Sequence, residues 1–116
     1  MATSTISMDE SNKKTTFSLT LPEGWTISNN YSYRLGNLVF IGGVLAKTES
    51  STLKRFAFPD CIPNEYKPLS RIDFACNNNT SDTVLHGIIS GRLIDFYRNE
   101  TTPLVSIGFS VIYSVV

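Results

Sequence analysis

The C-terminal segment of the chain, residues 104–115, alternates between two kinds of side chain. Large apolar residues occupy every second position, while the positions between them hold mainly serine and glycine, with Leu104 and Ile112 as the larger exceptions. A period of two predicts a β-strand with one buried face. The buried set comprises Val105, Ile107, Phe109, Val111, Tyr113 and Val115. Because the other face is small and semi-polar, the pattern favours an all-β domain that packs against copies of itself.

The remainder of the chain is divided by turn signals into short segments typical of strands. Gly36-Asn37 and Ser90-Gly91 each stand between two apolar runs and predict tight hairpins. Residues 1–14 are polar and without periodicity, which predicts a flexible arm or a linker to an upstream element. Residues 15–116 then predict one domain of seven or eight strands, an antiparallel β-sandwich or a jelly-roll-like barrel.

Three local features refine this prediction. Gly42-Gly43 lies inside an apolar run and indicates a β-bulge or a close backbone contact. Phe17, Leu19 and Leu21 alternate with polar residues and predict the first strand, whereas the polar run 77–82 predicts a loop.

Composition argues against several classes of function. The formal net charge is zero and the ten basic residues are scattered, so nothing predicts the clustered basic surface that nucleic acid requires. The apolar runs are no longer than a strand, so we expect no membrane span. The first 14 residues lack the central apolar region of a signal peptide, so we expect no signal peptide.

The two cysteines, Cys61 and Cys76, allow one disulfide, but free buried thiols are the favoured interpretation. Small domains that depend on disulfides usually carry four or more cysteines. With a single histidine and two separated cysteines, the sequence predicts no metal site and no cofactor.

Four segments, residues 19–26, 31–43, 58–68 and 91–97, follow one another in a particular order and spacing ahead of the terminal strand. Together they resemble, over residues 19–116, the C-terminal receptor-binding head domains of tailed-phage fibres and baseplates, in particular those of phages that infect Gram-positive bacteria. It implies a homotrimer on the phage tail tip that binds a host wall polysaccharide or teichoic acid. It also implies contact with other tail or baseplate proteins. The alternative is a structural baseplate or fibre domain that docks only to another phage protein.

Sugar binding combines an aromatic platform with a few directional polar groups, because a pyranose ring has an apolar face and a rim of hydroxyls. This chemistry selects six candidate saccharide-binding residues: Trp25, Tyr33, Asp73, His86, Asp95 and Tyr97. Four of them have a structural alternative. Trp25 can pack in the core, His86 can be an ordinary strand histidine, and both aspartates can be ordinary charges on an outward strand face.

Catalysis is not predicted. His86 is the only histidine available to a catalytic triad, and no Gly-x-Ser-x-Gly sequence is present. Asp73 and Asp95 could in principle act as the carboxylate pair of a glycoside hydrolase, which must flank one sugar ring. Both are isolated charges within apolar strands, so we expect a protein without enzymatic activity.

Overall fold

The computed structural model describes residues 13–81 and 83–116. Its strands are β1 (Lys14–Thr16), β2 (Trp25–Leu35), β3 (Leu38–Ser51), β4 (Arg55–Phe58), β5 (Ile72–Asn78), β6 (Thr83–Ser90), β7 (Leu93–Tyr97) and β8 (Leu104–Ser114). A 3-10 turn, Asn64–Tyr66, lies between β4 and β5. The predicted arm falls outside the described residues except for its last two, and Lys14 already belongs to β1. The described part of the chain contains no helix that is both long and apolar enough to cross a membrane.

All eight strands form one antiparallel sheet in the order β1-β2-β3-β8-β5-β6-β7-β4. The all-β class, the antiparallel pairing and the strand number are therefore confirmed. The sheet is single and not closed, so neither two separate sheets nor a complete barrel is present. Register shifts in β2, between Ser28 and Tyr31, and in β3, between Ala46 and Ser51, mark irregularities in the longest strands. Such irregularities bend a strand and increase its twist.

The sheet curves so that its two ends approach each other around one core. The Trp25 ring on β2 lies 4.7 Å from the ring of Phe58 on β4, the opposite edge strand, in an edge-to-face contact. We call the side that encloses the core the inner face and the opposite side the outer face. Fully buried inner side chains include Val39, Ile41, Leu45, Phe58, Leu85, Ile89, Ile94, Phe96 and Ile107.

The alternation of the terminal strand is confirmed over most of its length. Ile107, Phe109, Val111 and Tyr113 are all buried. At the start of the strand the phase is reversed, because Leu104 is fully buried while Val105 is 37% exposed. The Thr80 hydroxyl oxygen accepts hydrogen bonds from two successive amides, Val105 N at 2.9 Å and Ser106 N at 3.1 Å. In a regular strand, successive amides point in opposite directions. Here two successive amides donate to one acceptor, so the alternation of side-chain directions is interrupted at this point.

Both predicted hairpins and the predicted irregularity at Gly42-Gly43 are confirmed, although the second turn is Gly91-Arg92, one residue later than predicted. Gly36 and Gly91 have φ values of 61° and 58° in the two hairpin turns, a conformation that favours glycine. Gly42-Gly43 combines both predicted features, because it lies opposite the bulge in β2 and the Tyr31 side chain crosses directly over Gly42.

Two local predictions are wrong. Residues 17–21 form no strand, although Leu19 is buried. Instead Phe17 N donates to Ser32 O and Thr20 N donates to Cys61 O, each at 2.9 Å, so this segment connects the two ends of the sheet. The polar loop begins later than predicted, because β5 continues to Asn78.

Both cysteines are free and buried, which confirms the favoured interpretation. Burial raises the pKa of the Cys61 and Cys76 thiols to about 12. Such thiols are almost entirely protonated at neutral pH, and a protonated thiol is a poor nucleophile.

Candidate functional site

The outer face of β5, β6, β7 and β4 carries a group of polar and aromatic side chains in two adjacent rows. One row contains Ala75, His86, Tyr97 and Arg55, which are successive cross-strand partners. The next contains Asp73, Ile88, Asp95 and Ala57. Directly opposed residues of antiparallel strands project to the same face. The structure therefore brings together four of the six predicted site residues: Asp73, His86, Asp95 and Tyr97.

Asp73 is the centre of an exposed hydrogen-bonded cluster. Its Oδ1 atom lies 3.0 Å from His86 Nε2 and 3.0 Å from Arg71 Nη2. The hydrogen bond with His86, and then that with Arg71, hold the pKa of the Asp73 carboxyl below its ordinary value. All three side chains are more than half exposed, so they offer hydrogen-bonding groups to a molecule that approaches this face.

These groups border a shallow depression of about 730 Å³. Its apolar contribution comes from Val84, which is 67% exposed, together with Ile88 and the Tyr97 ring. Its polar contribution comes from the Asp73 cluster. The depression thus presents apolar surface beside a carboxylate, a guanidinium and an imidazole, a combination suited to a ligand with one apolar face and a hydroxyl rim.

Asp95 projects toward the same face but is not available to a ligand. It is only 2% exposed, and Arg55 and Tyr97 occupy its carboxylate oxygens. Its predicted role as a direct sugar contact is therefore not supported by its position, and it is not an ordinary exposed charge either. The sequence predicts that Asp95 lies on the outward side of β7, but it does not predict that the Arg55 side chain from β4 reaches over the carboxylate.

Trp25 and Tyr33 lie away from the depression. Trp25 packs inside the sheet against Phe56 and Phe58, which agrees with its structural alternative. Tyr33 lies on the outer face of β2 and stacks on Phe40, with ring centroids 4.8 Å apart. Neither residue joins the group formed by Asp73, His86 and Tyr97.

The environments of the two aspartates do not favour glycoside hydrolysis. Asp73 and Asp95 lie opposite Ile88, on the two strands that flank β6. A general acid of this class needs a raised carboxyl pKa, whereas the pKa of Asp73 is lowered and Asp95 is fully engaged. Among residues 13–81 and 83–116, no group of three or more histidine, cysteine or acidic side chains has a metal-binding arrangement.

The arginines of the site were missed by sequence reasoning. Arg71 lies two residues before Asp73 and therefore on the same face, so the strand period could have identified it. Arg55 is different, because only the pairing of β4 with β7 brings it opposite Tyr97.

No protein-family model matches the chain, and no curated protein is similar to it in sequence.

Proposed function

We propose that this chain is a non-enzymatic adhesion head, carried on a phage tail tip or baseplate, that recognises saccharide on a host cell surface. The observation that carries the proposal is the open depression in which the Arg71–Asp73–His86 cluster borders Tyr97. The family resemblance of residues 19–116 supplies the biological setting, with wall polysaccharide or teichoic acid as the ligand class.

The chemistry of the depression agrees with a sugar ligand. A pyranose can place its apolar face on the Tyr97 ring beside Ile88, while vicinal hydroxyls donate to the Asp73 carboxylate and accept from Arg71. The depression is open and shallow, so each site binds weakly. Several copies on one virion would increase the overall affinity without any new contact.

Removal of the exposed ring or imidazole is expected to weaken sugar binding. We expect Tyr97→Ala and His86→Ala each to reduce binding to glycan arrays and to whole host cells about tenfold. A tenfold loss of affinity corresponds to about 1.4 kcal/mol of binding free energy. Leu53→Ala is the control, because Leu53 is exposed and lies outside the depression, and it should bind as the parent does. Equal losses for Leu53→Ala and Tyr97→Ala would contradict the location of the site, and binding to no glycan or cell would contradict the function.

Our proposal includes assembly as a homotrimer, for which an apolar patch provides support. The patch consists of Tyr33, Leu35, Leu38, Phe40 and Ile112 on the outer face of β2, β3 and β8. Ile112 is 58% exposed. The outward side chains of these three strands are uncharged over the paired ranges that the structure describes, residues 31–35, 38–46 and 106–114. Aromatic-rich surface with few charges is typical of the centre of protein interfaces. One charge from β1, the Lys14 ammonium, lies 4.5 Å from the centroid of the Tyr33 ring.

A charge within the apolar patch is expected to prevent assembly. We expect light scattering to give a mass of three times 12.9 kDa for the parent chain and of 12.9 kDa for Ile112→Glu, because an unpaired carboxylate would be buried at the contact. Leu69→Glu, an exposed position before β5, should leave the mass unchanged. A monomeric parent would contradict the trimer and favour the alternative, in which the patch docks to another phage protein.

A further inference from the structure

Asp95 is a carboxylate that points to the outer face and yet is buried. Its two neighbours in β7, Ile94 and Phe96, are buried on the inner side, so the strand is covered on both faces at this point. Loss of hydration from a carboxylate is costly unless hydrogen-bond donors replace the water. The partners of Asp95 should therefore explain why a charge is retained here.

Those partners are Arg55 and Tyr97. Arg55 Nε lies 3.2 Å from Oδ1 and 3.0 Å from Oδ2 of Asp95, and Arg55 Nη2 lies 2.9 Å from Oδ2. The Tyr97 hydroxyl donates to Oδ2 at 2.8 Å. The buried Asp95 carboxylate thus accepts hydrogen bonds from two nitrogens of the Arg55 guanidinium and from the Tyr97 hydroxyl.

The two partners are also in contact with each other. Arg55 and Tyr97 are directly opposed on β4 and β7, and the centre of the guanidinium lies 5.4 Å from the centroid of the Tyr97 ring. In contrast to Asp95, both remain accessible, with the Arg55 side chain 57% exposed. Asp95 therefore holds in place two groups that solvent and ligands can reach.

We propose that Asp95 is a positioning residue that fixes the Tyr97 ring and the Arg55 guanidinium as one preorganised unit, and that Arg55 extends the sugar-binding surface from the depression toward β4. The part of this inference that concerns sugar rests on the proposed function. A guanidinium has five N–H donors, and the contacts with Asp95 leave Nη1 able to donate to a sugar hydroxyl. Fixing both groups before binding reduces the entropy that is lost when a sugar is bound.

The hydrogen bond can be tested without any sugar. The bond to Asp95 is the main reason why the pKa of the Tyr97 phenol is raised, whereas the charge of Arg55 lowers it. Asp95→Asn should therefore move the ultraviolet titration of Tyr97 to lower pH, and Arg55→Gln should move it to higher pH. Each spectrum is read against the same protein carrying Tyr97→Phe, which removes the contribution of the other four tyrosines.

Sugar binding forms the second arm of the experiment. NMR titration of the labelled chain with glucose, galactose, rhamnose and N-acetylglucosamine should show about tenfold weaker binding for Asp95→Asn and for Arg55→Gln. Urea unfolding of each variant verifies that it is folded, and the exposed position of Arg55 keeps one variant informative if Asp95→Asn is unstable.

The outcomes separate the two proposals. An unchanged Tyr97 titration in Asp95→Asn overturns the positioning role, and so does sugar binding as tight as that of the parent. If the parent binds none of these sugars or any cell-surface glycan, the proposed function is wrong, and the titration alone decides whether Asp95 fixes Tyr97.

Discussion

Phe96→Ala is expected to lower the free energy of unfolding by about 3–5 kcal/mol, the usual cost of removing a fully buried phenylalanine ring. Phe96 has no exposed surface. Its ring makes edge-to-face contacts with Phe58, Phe74 and Phe109, at centroid distances of 5.5, 6.1 and 5.9 Å. These partners come from β4, β5 and β8, so the substitution leaves a cavity where distant parts of the curved sheet meet.

This change is measured by urea unfolding followed through the fluorescence of Trp25, the single tryptophan, which packs on the same aromatic cluster. Parent and variant must be compared at one protomer concentration, because assembly also stabilises the folded state. Leu53→Ala removes an apolar side chain that is largely exposed and should change stability by less than about 0.5 kcal/mol. A loss of under about 1 kcal/mol for Phe96→Ala would contradict the central place of Phe96 in the core.

The features that the sequence predicts correctly depend on local periodicity. The alternation in β8 identifies the inner face from Ile107 to Tyr113 because side-chain direction in a strand follows residue number. The same rule places Asp73 on the outward face of its strand, where its side chain is 51% exposed. Glycine positions were equally informative, since a positive φ or a close contact is a local requirement.

The features that the sequence does not predict depend on which strands are neighbours. Asp95 is buried because β4 pairs with β7 and brings Arg55 over it, forty residues away along the chain. Asn78 is a similar case. It extends β5 into an asparagine-rich run because it pairs with Thr83 of β6 and Ile107 of β8. Its buried amide is satisfied by Thr80 N, which donates to Oδ1 at 3.0 Å, and by Glu100, which accepts from Nδ2 at 3.4 Å.

The six candidate site residues divide along the same line. Asp73, His86, Asp95 and Tyr97 come together because β5, β6 and β7 are successive in the sheet. Trp25 and Tyr33 were selected for their aromatic character alone, and residue type does not reveal which face or which end of a curved sheet a ring occupies. Residue type thus selects the candidates, while strand order decides which of them lie together on one face.

Gly42→Ala is expected to destabilise the fold by about 1–3 kcal/mol, the cost of inserting a methyl group into a closely packed site. A Cβ atom at Gly42 would overlap the Tyr31 phenol and would lie 2.8 Å from the Phe109 carbonyl oxygen. Tyr31 is held in that position by a hydrogen bond from its hydroxyl to Ser110 Oγ at 2.5 Å. The methyl group must therefore displace both a side chain and the backbone of β8.

The two contributions can be separated by urea unfolding of a double-mutant cycle with Tyr31→Ala. Removal of the phenol should relieve part of the penalty of Gly42→Ala and leave the part that is due to the Phe109 carbonyl. Gly108→Ala is the matched glycine control, because its nearest atom is the end of the Asn79 side chain at 3.1 Å, which can move. Since alanine also restricts the unfolded chain more than glycine does, Gly108→Ala should be close to neutral. Equal losses for the two glycines would mean that neither the Tyr31 phenol nor the Phe109 carbonyl lies close to Gly42.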